Sequence, residues 1–223
     1  MLEARNIWKS FNDRAVLRGI NISIRDPGIY VIIGRNGVGK TTLIKILSGI
    51  LRPSRGEVYI KGRNVFNDYG VRDVIGVLFH ENILYDELTV HENLDLLLKM
   101  YGIDSIKSST LAYDAYKAFR LDRYDGVRVG YLSYGWRRRV NIVRALLNNP
   151  RVLLLDEPIL GLDDSASMDV ARLIDKVSID RIILMTLADI RDLELFKDSL
   201  GLKWVCRLED GILNVLDEDY IFS

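Results

Sequence analysis

The sequence predicts an α/β fold with a mostly parallel sheet, an N-terminal antiparallel β subdomain and an inserted α-helical subdomain. Three observations carry that prediction. From residue 28 onward, short apolar, β-branched runs alternate with helical apolar spacing, the pattern of parallel strands covered on both faces. Residues 2–24 instead read as two strands around the turn Asn12-Asp13-Arg14, with Ile20, Ile22 and Ile24 in alternation. Between about 81 and 147 the texture turns helical, and strand-like runs resume only after Pro150. The whole chain, 1–223, reads as one domain carrying that insertion.

Taken in order, Leu2–Trp8 and Val16–Ile24 make the opening pair, and Gly28–Ile33 (GIYVII) is a buried strand. Next comes Gly34-Arg35-Asn36-Gly37-Val38-Gly39-Lys40-Thr41-Thr42. It fits G-x-x-x-x-G-K-[ST], with Gly34, Gly39, Lys40 and Thr41 at the fixed positions. A triphosphate needs many backbone N–H donors converging on one point, and glycines let the chain curl that tightly. Lys40 adds a point charge between the β- and γ-phosphates, and the Thr41 hydroxyl suits Mg²⁺. Thr41–Ser48 has helical spacing and stops at Gly49, so a helix N-terminus is aimed at the phosphates.

Glu57–Ile60 and Arg63–Phe66 read as a hairpin over Lys61-Gly62, and Val74–Phe79 as a strand ending at His80. Thr89-Val90-His91-Glu92 is a capping box that opens a helix over Val90–Tyr101. Further helices are predicted over Ile106–Phe119 and from Leu132 to Leu147, the latter stopped by Asn148-Asn149-Pro150. Arg151–Leu155 is an apolar strand running into Asp156-Glu157-Pro158. Ser165–Val177 is helical, Arg181–Met185 a strand and Asp189–Asp198 a helix. Trp204–Leu208 and Ile212–Leu216 pair across Asp210-Gly211.

Composition narrows the function classes. The 31 Lys and Arg balance 31 Asp and Glu, which argues against a chain that coats nucleic acid, and no nucleic-acid partner is expected. No apolar run approaches a membrane span, and the opening MLEARNIWKSF lacks a signal-peptide layout. A lone Cys206 excludes an internal disulfide or a thiolate metal site. The expected setting is cytoplasmic.

Asp156 at the end of an apolar strand is what a phosphate loop needs opposite it. A carboxylate there holds Mg²⁺ through water, and Glu157 beside it can orient or deprotonate an attacking water. The competing reading of this pair is a simple turn opening.

Leu132-Ser133-Tyr134-Gly135-Trp136-Arg137-Arg138-Arg139-Val140 then resembles LSGGQ-x-x-RV, the signature of ATP-binding-cassette (ABC) ATPases, and Gly161-Leu162-Asp163 resembles their D-loop. The motifs occur in the family's order over essentially the whole chain.

That resemblance implies a P-loop NTPase core that binds ATP with Mg²⁺ through Asn36, Gly37, Val38, Gly39, Lys40, Thr41 and Thr42, with Thr41 and Asp156 as metal ligands. It implies catalytic positions at Glu157 and His80. Phe11 falls where an aromatic stacks on adenine, with Val16 beside the nucleotide; a strand-end aromatic is otherwise core. Ser133 and Gly135 would contact the γ-phosphate held by a second ABC ATPase subunit, and Asp163 would sit at that dimer interface. Arg139 and Arg144 structure the signature helix, while Arg137-Arg138 form its solvated face. Leu88-Thr89-Val90-His91-Glu92-Asn93-Leu94 resembles the LTVxENL of exporter-type subunits, which work with an integral membrane transporter subunit at the cytoplasmic face of the membrane.

Departures from the family pattern are equally specific. The Q-loop glutamine is His80, and the chain contains no glutamine at all. Ala188 stands at the switch-histidine position, and the signature carries Tyr134 for Gly and Trp136 for Gln. Two functions follow as expectations. One is a slowly hydrolysing transporter ATPase; the other is a hydrolysis-impaired subunit that pairs with a competent paralogue. A DNA-repair or translation ATPase fits less well, because the chain has no room for a long coiled-coil insertion or a tandem cassette. Elsewhere, His91 reads as solvated and Cys206 as core. Trp8 and Trp204 read as packing residues, while Tyr85 and Leu88 are candidates to face a partner.

Overall fold

The computed structural model describes residues 1–216. Strands β1 (Leu2–Phe11), β2 (Arg14–Ile24) and β3 (Gly28–Ile33) lead into α1 (Lys40–Leu47), then β4 (Arg55–Ile60), β5 (Arg63–Asn64) and β6 (Ile75–Leu78). The helical block holds α2 (Val90–Met100), α3 (Thr110–Ala118) and α4 (Tyr134–Leu146). After it come β7 (Val152–Asp156), α5 (Asp164–Ser178), β8 (Ile182–Leu187), β9 (Leu202–Glu209) and β10 (Ile212–Leu216).

Two sheets result. An antiparallel one has the order β2-β1-β4-β5; a six-stranded one runs β10-β9-β3-β8-β7-β6 and is parallel except for β10. Every residue of β3, β7 and β8 is buried, which explains sequences that are apolar except for Asp156 and Thr186. The pleat sorts β3 between two cores. Ile29, Val31 and Ile33 pack with residues of α4 and α5, whereas Tyr30 and Ile32 pack with α1 and the antiparallel sheet.

Two predicted helices need correction. Ile106–Phe119 is not continuous: a 3₁₀ turn (Ile106–Ser108) precedes α3, and the break is at Ser109. The Ser109 hydroxyl leaves the helix path and donates to the Leu146 carbonyl (3.4 Å), a competition typical of serine. The segment expected as an α-helix over Asp189–Asp198 is a 3₁₀ helix, Ile190–Phe196. Its only buried side chains, Leu193 and Phe196, are three residues apart, the spacing at which 3₁₀ side chains eclipse.

The capping box on α2 is complete: Thr89 accepts the Glu92 N–H (3.1 Å) and Glu92 accepts the Thr89 N–H (2.8 Å). Buried Asn93 adds a second clasp. Its Oδ1 accepts from Tyr85 N, and its amide nitrogen donates to the carbonyls of Tyr85, Leu88 and Thr89. The loop carrying exposed Tyr85 and half-buried Leu88 is thereby pinned to α2.

The insertion is fastened to the core at the edge strand β6. Its outward carbonyls are met in turn by side chains of α4 and the residues after it: Asn148 donates to Ile75 O (3.0 Å), Arg144 to Val77 O (2.5 Å) and Arg138 to Phe79 O (2.6 Å). An edge that would otherwise invite another strand is occupied. The approach is close enough to require glycine at position 76, where a Cβ would stand 2.1 Å from Ala145 O and 2.8 Å from Pro150 Cγ. Gly76→Ala should therefore lower folding stability by about 1–3 kcal/mol through overpacking. The measurement is a urea titration, with the midpoint falling and the slope unchanged.

Candidate nucleotide-binding site

The turn from β3 into α1 is the centre of the site. Gly39 precedes the helix at φ 115°, and a Cβ there would meet Val16 Cγ1 at 2.9 Å, so both conformation and space demand glycine. No side chain caps α1, which leaves its first N–H groups to a ligand. A cavity of about 460 Å³ opens over this turn. Phe11, Val16, Asn36, Gly37, Gly39, Lys40, Thr41, Thr42, His80 and Glu157 line it, all expected from the sequence, together with Glu81 and Leu160. Phe11 is 47% exposed, with one face approached by the Lys9 ammonium at 5.0 Å. It is therefore not a core residue.

Four expected residues lie elsewhere. Half-buried Val38 donates its N–H to Arg35 O and packs its side chain into the apolar core. Exposed Ser133 and half-buried Gly135 lie at the start of α4, outside the cavity. Asp156 lies beneath the cavity, with no solvent exposure.

The floor is a chain of short contacts. Thr41 donates to one Asp156 oxygen (2.6 Å) and Thr186 to the other (2.8 Å), while the Thr186 oxygen accepts the Glu157 N–H (3.1 Å). Sequence reading missed Thr186; the signal available was a polar residue inside an otherwise apolar strand. At the mouth, Lys40 is 4% exposed and donates to Gly34 O (2.6 Å) and Arg35 O (3.2 Å). It also pairs with Glu157 at 2.9 Å. A hydroxyl laid on a buried carboxylate beside a loop of free N–H groups fits Mg²⁺, which takes oxygen ligands and keeps waters and phosphates in its shell.

The departures can now be placed. Exposed His80 lines this cavity and an adjoining one of about 270 Å³, with Asn82, Tyr134, Arg137, Arg138 and Asn141. Ala188 is half-buried and is not among the lining residues. The Tyr134 ring turns onto the same chain's D-loop: a Cβ on Gly161 would stand 2.8 Å from it.

The expected solvated face at Arg137-Arg138 is wrong. Arg137 is half-buried and donates to the carbonyls of Leu132 and Gly130. Arg138 is 3% exposed and is enclosed by the main chain, and burial lowers its pKa below the ordinary arginine value. Three consecutive arginines, 137–139, hid which of them faces inward; the helical period alone places 138 two turns before buried Ala145. Arg139 stacks 4.6 Å from the Trp136 ring and pairs with Asp169 (3.3 Å). Burial lowers the Arg144 pKa to about 10. Trp8 is also a correction: it is 38% exposed and bonds Asn6, whereas Trp204 does pack, edge-on to Tyr30. His91 is exposed and Cys206 buried, its thiol pushed up to about 12.

The Asp163 side chain caps α5 by accepting Ala166 N–H (2.8 Å). Among the described residues no helix is long and apolar enough to cross a membrane.

Comparison with known proteins agrees with this architecture. Residues 17–160 match the family model described as "ABC transporter". The chain is 32% identical over 212 residues to the Nod factor export ATP-binding protein I of Burkholderia orbicola, covering 94% of this chain and 68% of that protein. It is 34% identical over 189 residues to the chloroplastic protein TRIGALACTOSYLDIACYLGLYCEROL 3 of Arabidopsis thaliana, covering 79% of this chain but 55% of that one. Among solved structures, a dimeric post-hydrolysis ATP-binding cassette bound to ADP and Pi superposes with a TM-score of 0.83 at 26% identity, covering 96% of each chain. A phosphate loop facing a buried strand-end carboxylate, matched over most of the chain's length, is thus accounted for: this chain belongs to the ABC transporter family of ATP-binding cassettes.

Proposed function

We propose that the chain is the ATP-binding and slowly hydrolysing subunit of an ABC exporter, acting as a head-to-tail dimer on a separate integral membrane subunit at the cytoplasmic face. The observation that carries this reading is the convergence of Lys40 with Glu157 and of Thr41 with Asp156, two pairs that join the phosphate loop to the end of β7.

In this reading the N–H groups of residues 36–42 and the Lys40 ammonium hold the phosphates. Phe11 offers its open face to adenine, beside Val16. Thr41 and Asp156 would hold Mg²⁺, which would supply charge neutralisation for the phosphates. A triphosphate competes with Glu157 for Lys40. Once displaced, the Glu157 carboxylate is free to accept a proton from water, with exposed His80 beside the same cavity. Ser133 and Gly135, outside their own chain's cavity, face the partner's γ-phosphate. Export as the direction is supported by the LTVxENL-like run and by the relative named for Nod factor export.

Ala188 supplies no imidazole, and a missing preorganised donor lowers turnover by roughly 10²–10³. That residue, with the Tyr134 ring covering Gly161, favours a second reading: a nucleotide-binding regulatory subunit paired with a competent paralogue.

Two measurements test these readings. Lys40→Ala should abolish binding of a fluorescent ATP analogue while leaving the circular dichroism spectrum unchanged; binding at wild-type affinity would place the nucleotide elsewhere. Steady-state turnover should vanish in Glu157→Gln and rise in Ala188→His. Equal turnover in wild type and Glu157→Gln would remove the hydrolytic reading, and binding without turnover in any form would select the regulatory one.

A further inference from the structure

Arg138 carries chemistry that neither the phosphate loop nor the signature residues account for. Its four hydrogen bonds all go to main-chain carbonyls: Nη1 to Phe79 O (2.6 Å), Nη2 to Asp156 O (2.7 Å) and Glu157 O, and Nε to Pro158 O (3.2 Å). A buried cation is costly unless its donors are matched, and the planar fork of a guanidinium presents five. The residue just after β6 and the end of β7 with the turn that follows it direct their carbonyls onto it.

We propose that Arg138 is the positioning residue of the catalytic apparatus, one side chain of the signature helix that sets both Glu157 and His80. Three successive carbonyls, 156 to 158, reach the guanidinium only because the chain curls around it. Glu157 occupies φ 49° within that curl, a region that side chains other than glycine seldom adopt. That conformation directs the Glu157 carboxylate to Lys40, 2.9 Å away. The fourth carbonyl, of Phe79, fixes the peptide immediately before His80. Because Arg138 lies four residues after Tyr134 on α4, a displacement of the signature at the partner's nucleotide is felt at both loops of its own chain. Lysine does not reproduce this arrangement, since an ammonium presents three donors from one point rather than a planar fork.

The proposal rests on the hydrolytic reading for its kinetic consequence but not for its structural one, and the experiment separates them. Amide hydrogen exchange, ATP-analogue affinity and steady-state kinetics are compared in wild type, Arg138→Gln and Arg138→Lys. In Arg138→Gln, exchange in residues 79–82 and 157–162 should rise about tenfold while β3 and α1 keep wild-type exchange. Affinity should hold within about threefold, whereas kcat falls by about 10²-fold at nearly constant KM, the cost of a misplaced catalytic group. Arg138→Lys should recover part of both effects.

Unchanged exchange in the two segments overturns the proposal. So does uniform loosening that includes β3 and α1 with loss of ATP binding, which would make Arg138 a prop for the whole fold. A wild type that binds ATP without turnover removes the hydrolytic reading, and the exchange pattern still decides the positioning role. If Arg138→Gln does not fold, Arg138→Lys carries the same comparison.

Discussion

A carboxylate with no exposure to water has to be matched where it stands, and in this protein the one that matters is Asp156. Both of its oxygens are occupied by hydroxyls, Thr41 from the first turn of α1 and Thr186 from β8. Desolvating a charge costs several kcal/mol in a real protein, so the elements bearing these hydroxyls have little freedom to move apart. The register of β7 against β8, which sets Asp156 beside Thr186, is the same constraint seen along the sheet. Everything above the floor inherits it. The phosphate loop is held against β7, and Glu157 is held by the Thr186 oxygen at its amide and by the Arg138 guanidinium at its carbonyl.

Charge is handled differently on the two sides of this floor. On the nucleotide side, Lys40 and Glu157 neutralise one another at the cavity wall, where an anion entering the cavity competes for the ammonium. On the helical side, Arg138 and Arg144 face carbonyl dipoles instead of carboxylates. The first arrangement exchanges partners readily. The second has no ionic competitor and is geometric, since dipoles attract a cation only when they point at it. Binding chemistry and structural chemistry are therefore kept apart, although a single turn of chain separates them.

Much of this was legible in the sequence. Buried parallel strands announce themselves by unbroken apolar runs, and the phosphate loop by glycine spacing that few other structures need. The carboxylate pair at 156–157 could be placed because it ends such a strand. What could not be read were contacts whose acceptor is the backbone. Every residue has a carbonyl, so nothing in the string says that Arg138, Arg144, Asn148 and Asn93 would each find particular ones. A run of three arginines looks like a solvated face by composition, and the helical period that sets Arg138 on the face of Ala145 was outvoted by it. The two mistaken helices failed for a related reason. A serine hydroxyl at 109 and a three-residue apolar spacing at 193 and 196 are local features too weak to outvote a helical average.

The fastening of α4 along the edge strand has a mechanical consequence. Outward carbonyls on a strand recur every second residue, roughly 6.6 Å apart. A helix clipped to two of them, with Asn148 just beyond its end clipped to a third, cannot creep along the strand by an ångström or two, because intermediate positions satisfy none of these donors. Small movements of the helical block must instead be tilts, hinged on that row of clips like a door on its pins. The clasped loop bearing Tyr85 leaves the last of those clips directly and is tied to α4 through Asn82 and Asn141, so it travels with the door.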